Sequence, residues 1–297
     1  MQQIIECVPN FSEGRDLSKI KKIASSAKKV RGVKVLDIEW DKSHNRALMT
    51  LVGAPDLVLQ AAFEMIKTAT KLIDMRKHKG EHPRIGATDV VPFVPVSGVS
   101  LKECVLLSNK LAEKVASELN IPVYLYEAAA KRKDRINLAD VRKGEYEGLK
   151  DEIESNPERK PDYGPSKMHP TAGATVIGAR KYLVAYNVNL DTNNVEIAKK
   201  IASKIREKDG GLPGVKALGF KVGGYAQISI NLVDFEKTNF DEAFRAIEKE
   251  AEKLKVEIRS SEIYGMIPLE ALVSSVKKTF KAEGFKSDQV LEKRLYE

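Results

Sequence analysis

VKVLDIEWDKSHNRALMTLVG, residues 33–53, consists of two strand-like runs joined by the short polar segment DKSHN, a pattern that predicts a β-hairpin. Apolar residues recur at helical spacing on both sides of it, over 17–30 and from about 56 to 73. Strand-like runs at 3–8 and 90–96 complete the order β-α-β-β-α-β, the arrangement of a ferredoxin-like fold. The two prolines of VVPFVPV indicate that the run at 90–96 lies at a sheet edge, because proline has no backbone N–H to donate.

The second half of the chain has the same predicted element order. GATVIGARKYLVAYNVNL (173–190) contains a strand, a helix and two strands follow, and a helix at 240–254 precedes the strand VEIRSSEIYG. Between the halves, residues 128–170 are polar and irregular, which predicts a connection or a long loop over a site. The sequence therefore predicts an α/β (α+β) protein of two ferredoxin-like βαββαβ-type subdomains with mixed sheets, 1–178 and 179–297, with a ligand cleft between them.

Composition narrows the functional class. The chain of 297 residues has a formal net charge of +8 and a pI near 9.2. This positive charge would favour the binding of nucleic acids or of anionic small molecules. Its lysines alternate with glutamates on helix-like faces, and no nucleic-acid-binding motif is present. No stretch approaches the roughly 20 apolar residues of a membrane span, and the N-terminal residues do not resemble a signal peptide. We therefore expect a cytoplasmic protein that binds neither nucleic acid nor membrane.

One polar loop, DMRKHKGEHPRIGATDVVPFV (74–94), lies between an apolar helix and an apolar strand. Gly80, Pro83 and Gly86 interrupt any helix there, and loops anchored on rigid elements commonly carry functional groups. His82 exchanges protons near neutral pH, which makes it the candidate general acid–base. The alternative is that the loop is only a solvated basic turn, as charge runs often are.

A carboxylate that orients the His82 ring is expected on the first strand of the hairpin. Asp37, Glu39 and Asp41 occupy alternating positions along that strand. Alternating residues of a strand share one face of the sheet, so all three are candidates.

No metal site is predicted. His78 and His82 are four residues apart, but Gly80 and Pro83 argue against the helix that would align them, and the H-E-x-x-H order is absent. Cysteines offer no alternative ligands, because both lie in apolar runs and are expected to be buried thiols. Glycine-rich phosphate loops and a G-x-S-x-G elbow are also missing.

Four long blocks carry a further signal: ECVPNFSEGR (6–15), LIDMRKHKGEHPRIGATDV (72–90), PVYLYEAA (122–129) and GATVIGARKYLVAYNVNL (173–190). Together with GPSKMHP, AQISINLVDFEKT and MIPLEAL, they resemble the glutamate formimidoyltransferase family, which also forms the N-terminal part of formimidoyltransferase-cyclodeaminases. The resemblance covers nearly the whole chain. It implies two ferredoxin-like subdomains that enclose a folate-binding cleft, and a homodimer.

The resemblance also implies an activity. Family members transfer the formimino group of N-formimino-L-glutamate to N5 of tetrahydrofolate, the co-substrate, and release L-glutamate in histidine catabolism. Their catalytic histidine lies in GEHPR, which is His82 here. The supporting aspartate of the family corresponds to Glu39, whose side chain is one methylene longer.

The family's folate-binding segment matches ten consecutive residues of this chain. They are Tyr163, Gly164, Pro165, Ser166, Lys167, Met168, His169, Pro170, Thr171 and Ala172. Small residues there let backbone amides approach the pterin. Arg84 and Arg46 are predicted, from their positions alone, to bind the substrate carboxylates.

Two other functions fit the same residues. An enzyme on this scaffold could move a formyl group between 5-formyltetrahydrofolate and glutamate, because attack at N5 and release of glutamate are common to both reactions. The second alternative is a folate-binding protein without catalysis. The sequence also leaves open whether a modified pterin replaces folate.

Overall fold

The computed structural model describes residues 3–295 of the chain. They divide into two units, of which the first ends at Arg180 and the second begins at Lys181. Each unit has a hydrophobic core built from its own sheet and helix side chains. The predicted α+β class is confirmed.

The first unit combines one large sheet with five α-helices. Its strands are β1 (Ile4–Cys7), β2 (Asn10–Phe11), β3 (Lys34–Asp41), β4 (Arg46–Gly53), β5 (Thr88–Ser97), β6 (Val123–Glu127) and β7 (Thr175–Ala179). Its helices are α1 (Leu17–Lys28), α2 (Pro55–Leu72), α3 (Leu101–Leu119), α4 (Leu138–Val141) and α5 (Glu145–Glu152).

The strand order of this sheet contains the predicted ferredoxin-like arrangement. β1 and β2 form one interrupted strand between β4 and β5, and β3 pairs with β4, all antiparallel. Beyond β5 the sheet continues with β7 and then β6, both in parallel pairing. α1, α2 and α3 pack on one face, where the inward side chains of β4 are fully buried. The polar residues of β3 and β4 therefore lie on the other face.

The prolines of β5 do not place it at a sheet edge, and that prediction is wrong. β5 pairs with β1 and β2 on one side and with β7 on the other. The carbonyl of Pro92 accepts from Val8, so its ring nitrogen points at the gap between β1 and β2. Pro95 lies at the register shift opposite Ile5. Each missing N–H thus falls where the ladder is already interrupted, as it does at a bulge.

The region at 128–170 is more ordered than its composition predicts. It forms α4, α5 and two 3-10 turns at 133–135 and 157–159. Tyr146 and Leu149 from α5 are buried in the core of the first unit. The helices are too short for a periodic apolar pattern to stand out among the charged residues, because helical periodicity becomes visible only over about 11 or more residues.

The second unit is a four-stranded antiparallel sheet with helices. Its order, β11-β8-β10-β9, is that of a ferredoxin-like βαββαβ unit, as predicted. The strands are β8 (Val184–Leu190), β9 (Val215–Val222), β10 (Tyr225–Leu232) and β11 (Ile258–Tyr264). The helices are α6 (Val195–Ile205), α7 (Phe240–Lys253), α8 (Leu269–Phe280) and α9 (Leu291–Leu295).

The sequence block at 173–190 divides between the units, since β7 belongs to the first sheet and β8 to the second. Of the helices formed by residues 3–295, none has the length and apolar character needed to cross a membrane. Cys7 and Cys104 are buried free thiols, as expected.

Candidate active site

The polar loop between α2 and β5 is held by two close backbone approaches. A Cβ on Gly80 would lie 2.3 Å from the carbonyl oxygen of His44 in the β3–β4 turn. A Cβ on Gly86 would lie 1.8 Å from the carbonyl oxygen of Ala174. Both distances are far below van der Waals contact, so only glycine lets the loop lie against these neighbours.

Asn45 joins three segments around this loop. Its Oδ1 accepts from the N–H of Gly14 at 2.9 Å, and its Nδ2 donates to the carbonyl of Lys79 at 3.0 Å. Its own carbonyl accepts from Nε2 of His78 at 2.9 Å. The residue has a φ of +49°, a left-handed conformation that asparagine adopts more readily than most residues.

His82 is half-buried on the loop beside two guanidinium groups. Burial, and then the positive charges of Arg46 and Arg142, lower the pKa of His82 to about 2. The other three histidines hydrogen-bond through a ring nitrogen, whereas no such bond involves the His82 ring within residues 3–295. At neutral pH the ring is therefore uncharged and has a nitrogen free to accept a proton.

Arg46 and Arg142 make this site electropositive. Burial and the neighbouring charge of Arg142 lower the pKa of Arg46. Arg142, at the end of α4, is ion-paired with the buried Asp89 of β5. Within the described part of the chain, the Nε atoms of both arginines are buried without a hydrogen-bond partner. The carboxylates of Asp89, Asp41 and Glu39 partly offset the positive charge on Arg46. The two unsatisfied Nε donors still favour the binding of an anion, since buried polar groups are costly when unsatisfied.

The three hairpin carboxylates share one face, as the alternation predicts. The β3–β4 register places Asp41 opposite Arg46, and Asp37 and Glu39 opposite the next two outward positions of β4. Asp41 accepts from the backbone N–H of His44 at 2.6 Å and is exposed. Glu39 and Asp37, on the same face, are less exposed than Asp41.

Glu39 lies next to Asp37 and Arg46. Burial, followed by the charge of Asp37 and a hydrogen bond between the two carboxyl groups, raises the pKa of Glu39, and Arg46 opposes this effect. Arg46 thus acts electrostatically on both Glu39 and His82. Residues 3–295 contain no hydrogen bond between Glu39 and His82, so the orienting role of Glu39 stays a prediction.

Arg84 is buried and its donors contact protein groups. Nη1 donates to Glu145 and Glu147 at 2.8 Å each, and Nη2 donates to Glu147 at 2.8 Å. Nε donates to Nδ1 of His78 at 3.2 Å. To bind a substrate carboxylate, as predicted, Arg84 would have to exchange one of these carboxylates for it.

The end of the predicted folate segment lies directly against the His82 loop. The carbonyl of Thr171 accepts from Met75 at 2.8 Å, and that of Ala172 accepts from Ala87 at 2.8 Å. Nδ1 of His169 accepts from the N–H groups of Thr171 and Ala172 at 3.3 and 3.0 Å, which closes a tight turn. The structure therefore brings Thr171 and Ala172 together with the loop that carries His82.

The start of the same segment packs elsewhere in the first unit. Tyr163 donates its hydroxyl hydrogen to Asn109 at 2.8 Å, and the Lys131 ammonium lies 4.1 Å from its ring centroid. Met168 is buried in the core. Gly164, Ser166, Lys167 and Pro170 are exposed, and Pro165 is half-exposed.

Three residues of the site escaped the sequence analysis: Asn45, Asp89 and Arg142. Asp89 lies within the polar loop at 74–94, but nothing in the sequence alone assigns it to the site. Arg142 gave no signal either, because it follows a four-residue helix in the region that looked irregular. Over residues 3–295, no group of three or more His, Cys, Asp or Glu side chains is arranged to hold a metal ion.

Comparison with known proteins gives two domain matches. Residues 4–180 match the formiminotransferase domain, N-terminal subdomain, and residues 185–292 match the formiminotransferase domain. The chain is 46% identical over 298 residues to a glutamate formimidoyltransferase of Streptococcus pyogenes serotype M1, covering 99% of each chain. It is 46% identical over 296 residues to that of Thermoplasma acidophilum, covering 98% of this chain and 97% of the relative.

A longer relative matches through part of its length. The formimidoyltransferase-cyclodeaminase of Rattus norvegicus is 43% identical over 283 residues, which make up 93% of this chain and 52% of the relative.

Proposed function

Because this chain belongs to the formiminotransferase domain family, we propose that it is a glutamate formimidoyltransferase. It moves the formimino group of N-formimino-L-glutamate to N5 of tetrahydrofolate and releases L-glutamate, in histidine catabolism. The observation that carries this proposal is the neutral His82 beside Arg46 and Arg142, on a loop hydrogen-bonded to the predicted folate segment.

His82 is the general base in this mechanism. N5 of tetrahydrofolate attacks the formimino carbon, and a bond forms between them as the proton on N5 passes to the imidazole. The imidazolium then gives that proton to the glutamate nitrogen as the bond from carbon to that nitrogen breaks. One histidine thus serves both steps, as general base and then general acid.

Arg46 is the residue we assign to a carboxylate of formiminoglutamate. Its guanidinium has an unsatisfied buried Nε and a second cation nearby, so an anion is favoured there. A bound carboxylate would also offset the arginine charges that lower the pKa of His82. Binding of the donor therefore makes His82 a stronger base than it is in the free protein.

Residues 163–172 are the proposed folate-binding segment. The contacts of Thr171 and Ala172 with the His82 loop support this assignment, because folate held there would lie near the base. Glu39 is the proposed positioning carboxylate for His82, supported by its place on the same face of the sheet as Arg46. The protein is further proposed to act in the cytoplasm as a homodimer, without nucleic-acid partners.

An assay with two donors tests the function. Purified protein is incubated with tetrahydrofolate and either formiminoglutamate or formylglutamate, and the folate product is followed as methenyltetrahydrofolate after acidification. We expect transfer from formiminoglutamate, and its loss in both His82→Ala and His82→Asn, since neither replacement can accept the N5 proton. Activity with formylglutamate alone would replace the proposal by formyl transfer. Full activity in His82→Asn would show that His82 is not the general base.

A further inference from the structure

Two sets of ion pairs join the His82 loop to the segment from α4 to α5, residues 138–152. The loop supplies the arginine in one set and the carboxylate in the other. In one set the arginine, Arg84, comes from the loop and the carboxylates Glu145 and Glu147 come from the segment. In the other, Arg142 comes from the segment and Asp89 from the start of strand β5. Crossed pairs of this kind fix the segment against both sides of the loop.

Arg84 makes the more extensive of the two connections. Its Nη1 and Nη2 both donate to the Glu147 carboxylate at 2.8 Å. This bidentate geometry fixes the orientation of the guanidinium as well as its distance from the carboxylate. Nη1 also reaches Glu145 at 2.8 Å. The arginine side chain is 7% exposed, whereas those of the two glutamates are 45% and 65% exposed.

The same guanidinium continues the connection to His78. Nε of Arg84 donates to Nδ1 of His78, and Nε2 of His78 bonds to the carbonyl of Asn45. Nδ1 must therefore be the acceptor and Nε2 the donor, which fixes the neutral tautomer of His78. His82 lies between His78 and Arg84 along the chain, so both flanks of the catalytic residue are held.

Asp89 completes the arrangement from the other side. One of its oxygens pairs with Arg142, and the other accepts from the backbone N–H of Ile85 at 2.9 Å. The carboxylate is 2% exposed. Arg142 is thereby tied through Asp89 to the backbone directly after Arg84.

We infer that the α4–α5 segment sets the position of the His82 loop through the Arg84–Glu147 and Arg142–Asp89 pairs, so that Arg84 is a positioning residue and not a ligand of the substrate. This inference rests on the proposed function, because a transfer rate is one of its readouts. It replaces the carboxylate-binding role predicted for Arg84 and leaves that role to Arg46.

Removing the carboxylate partners of Arg84 distinguishes a positioning role from a substrate-binding role, because the two roles predict different changes in kcat and KM. In Glu145→Ala/Glu147→Ala the arginine is retained, but its guanidinium loses the carboxylates that hold it. A positioning role predicts that kcat falls about ten- to a hundredfold, as misplaced catalytic groups do, while KM for formiminoglutamate stays within about twofold of wild type. A ligand role predicts the opposite, a lower KM with kcat unchanged, because competing carboxylates have been removed.

Glu152→Ala provides the matched control. Glu152 lies on the same helix and pairs with Arg159, away from the loop, so we expect wild-type kcat and KM. Arg84→Lys keeps the charge but cannot make the bidentate contact, and we expect it to lose kcat as the double variant does.

Hydrogen exchange gives a readout that does not depend on activity. We expect the amides of Ile85 and Ala87, which donate to Asp89 and Ala172, to exchange at least tenfold faster in the double variant than in wild type or Glu152→Ala. Faster exchange together with the fall in kcat supports the inference. Unchanged exchange, or a lowered KM at full kcat, overturns it. A wild-type protein inactive with both donors would contradict the proposed function, while the exchange result would still decide the role of the segment.

Discussion

At the scale of single residues, environment sets the chemistry of the site more than residue type does. Four histidines are present, and the structure gives them different conditions. His82 is half-buried among arginines, His78 is fixed between Arg84 and Asn45, and His44 is exposed beside Asp41. Only His82 combines burial, neighbouring cations and free ring nitrogens, which is why it is the proposed base.

The buried histidines make the protein sensitive to acid. Burial lowers the pKa values of His78 and His82 in the folded state, that of His82 to about 2. Below about pH 6.5 the unfolded chain therefore binds more protons than the folded chain, so the free energy of unfolding falls with decreasing pH. His82, whose pKa shift is large, contributes a limiting slope of about 1.4 kcal/mol per pH unit well below pH 6.5 and almost none well above it.

Urea unfolding of wild type and His82→Asn at pH 7 and pH 5 measures this effect. We expect the loss of stability between the two pH values to be smaller in the variant, which lacks the titrating ring. Equal losses in both proteins would show that the His82 ring is not held neutral by the fold.

Asn45 anchors the loop to the neighbouring segments, so its loss is expected to destabilise the protein. Asn45→Ala removes the bonds to Gly14 and Lys79 and places alanine at a φ of +49°. We expect a loss of about 2–3 kcal/mol in the free energy of unfolding, measured with urea. Asn45→Gly relieves only the backbone strain, so it should lose about 1 kcal/mol less. Equal stability of Asn45→Ala and wild type would contradict the anchoring role.

At the scale of elements, the connection at 128–170 is a structural part of the first unit. Arg135 forms a 2.7 Å ion pair with Asp162, and both side chains are 5% exposed. The same Asp162 accepts from the backbone N–H of Leu125 in β6 at 2.8 Å. The pair therefore fastens both ends of the connection to the edge strand of the sheet.

Breaking this pair should cost far more than breaking an exposed one. Arg135→Ala leaves the Asp162 carboxylate buried without its cation, and we expect a loss of about 3–5 kcal/mol. Arg132→Ala, at more exposed pairs with Asp134 and Glu158, is the matched control and should cost under about 1 kcal/mol. Comparable losses in the two variants would mean that the buried pair does not hold the connection.

At the scale of the whole molecule, the chain contains two units with separate cores. The second unit has a complete ferredoxin-like sheet, and its buried residues cluster only with residues beyond 181. We expect the fragment 181–297 to fold alone with a cooperative urea transition, because it meets the requirements for an independent domain. It should have no transferase activity, since it lacks His82. Circular dichroism and proton NMR of the fragment test this, and a non-cooperative transition would refute it.

The sequence alone predicted the βαββαβ order of both units, the hairpin at 33–53 and the loop that carries His82, but not α4, α5 or the separate strand β7. These features depend on spacing within a few residues, and local patterns record such spacing directly. Tertiary structure alone decided that β5 lies inside the sheet, that Arg84 pairs with Glu147, and that the charge of Arg142 acts on His82. Those contacts join residues far apart in the chain. Which residues meet depends on the order and packing of the strands, and no local sequence pattern records that order.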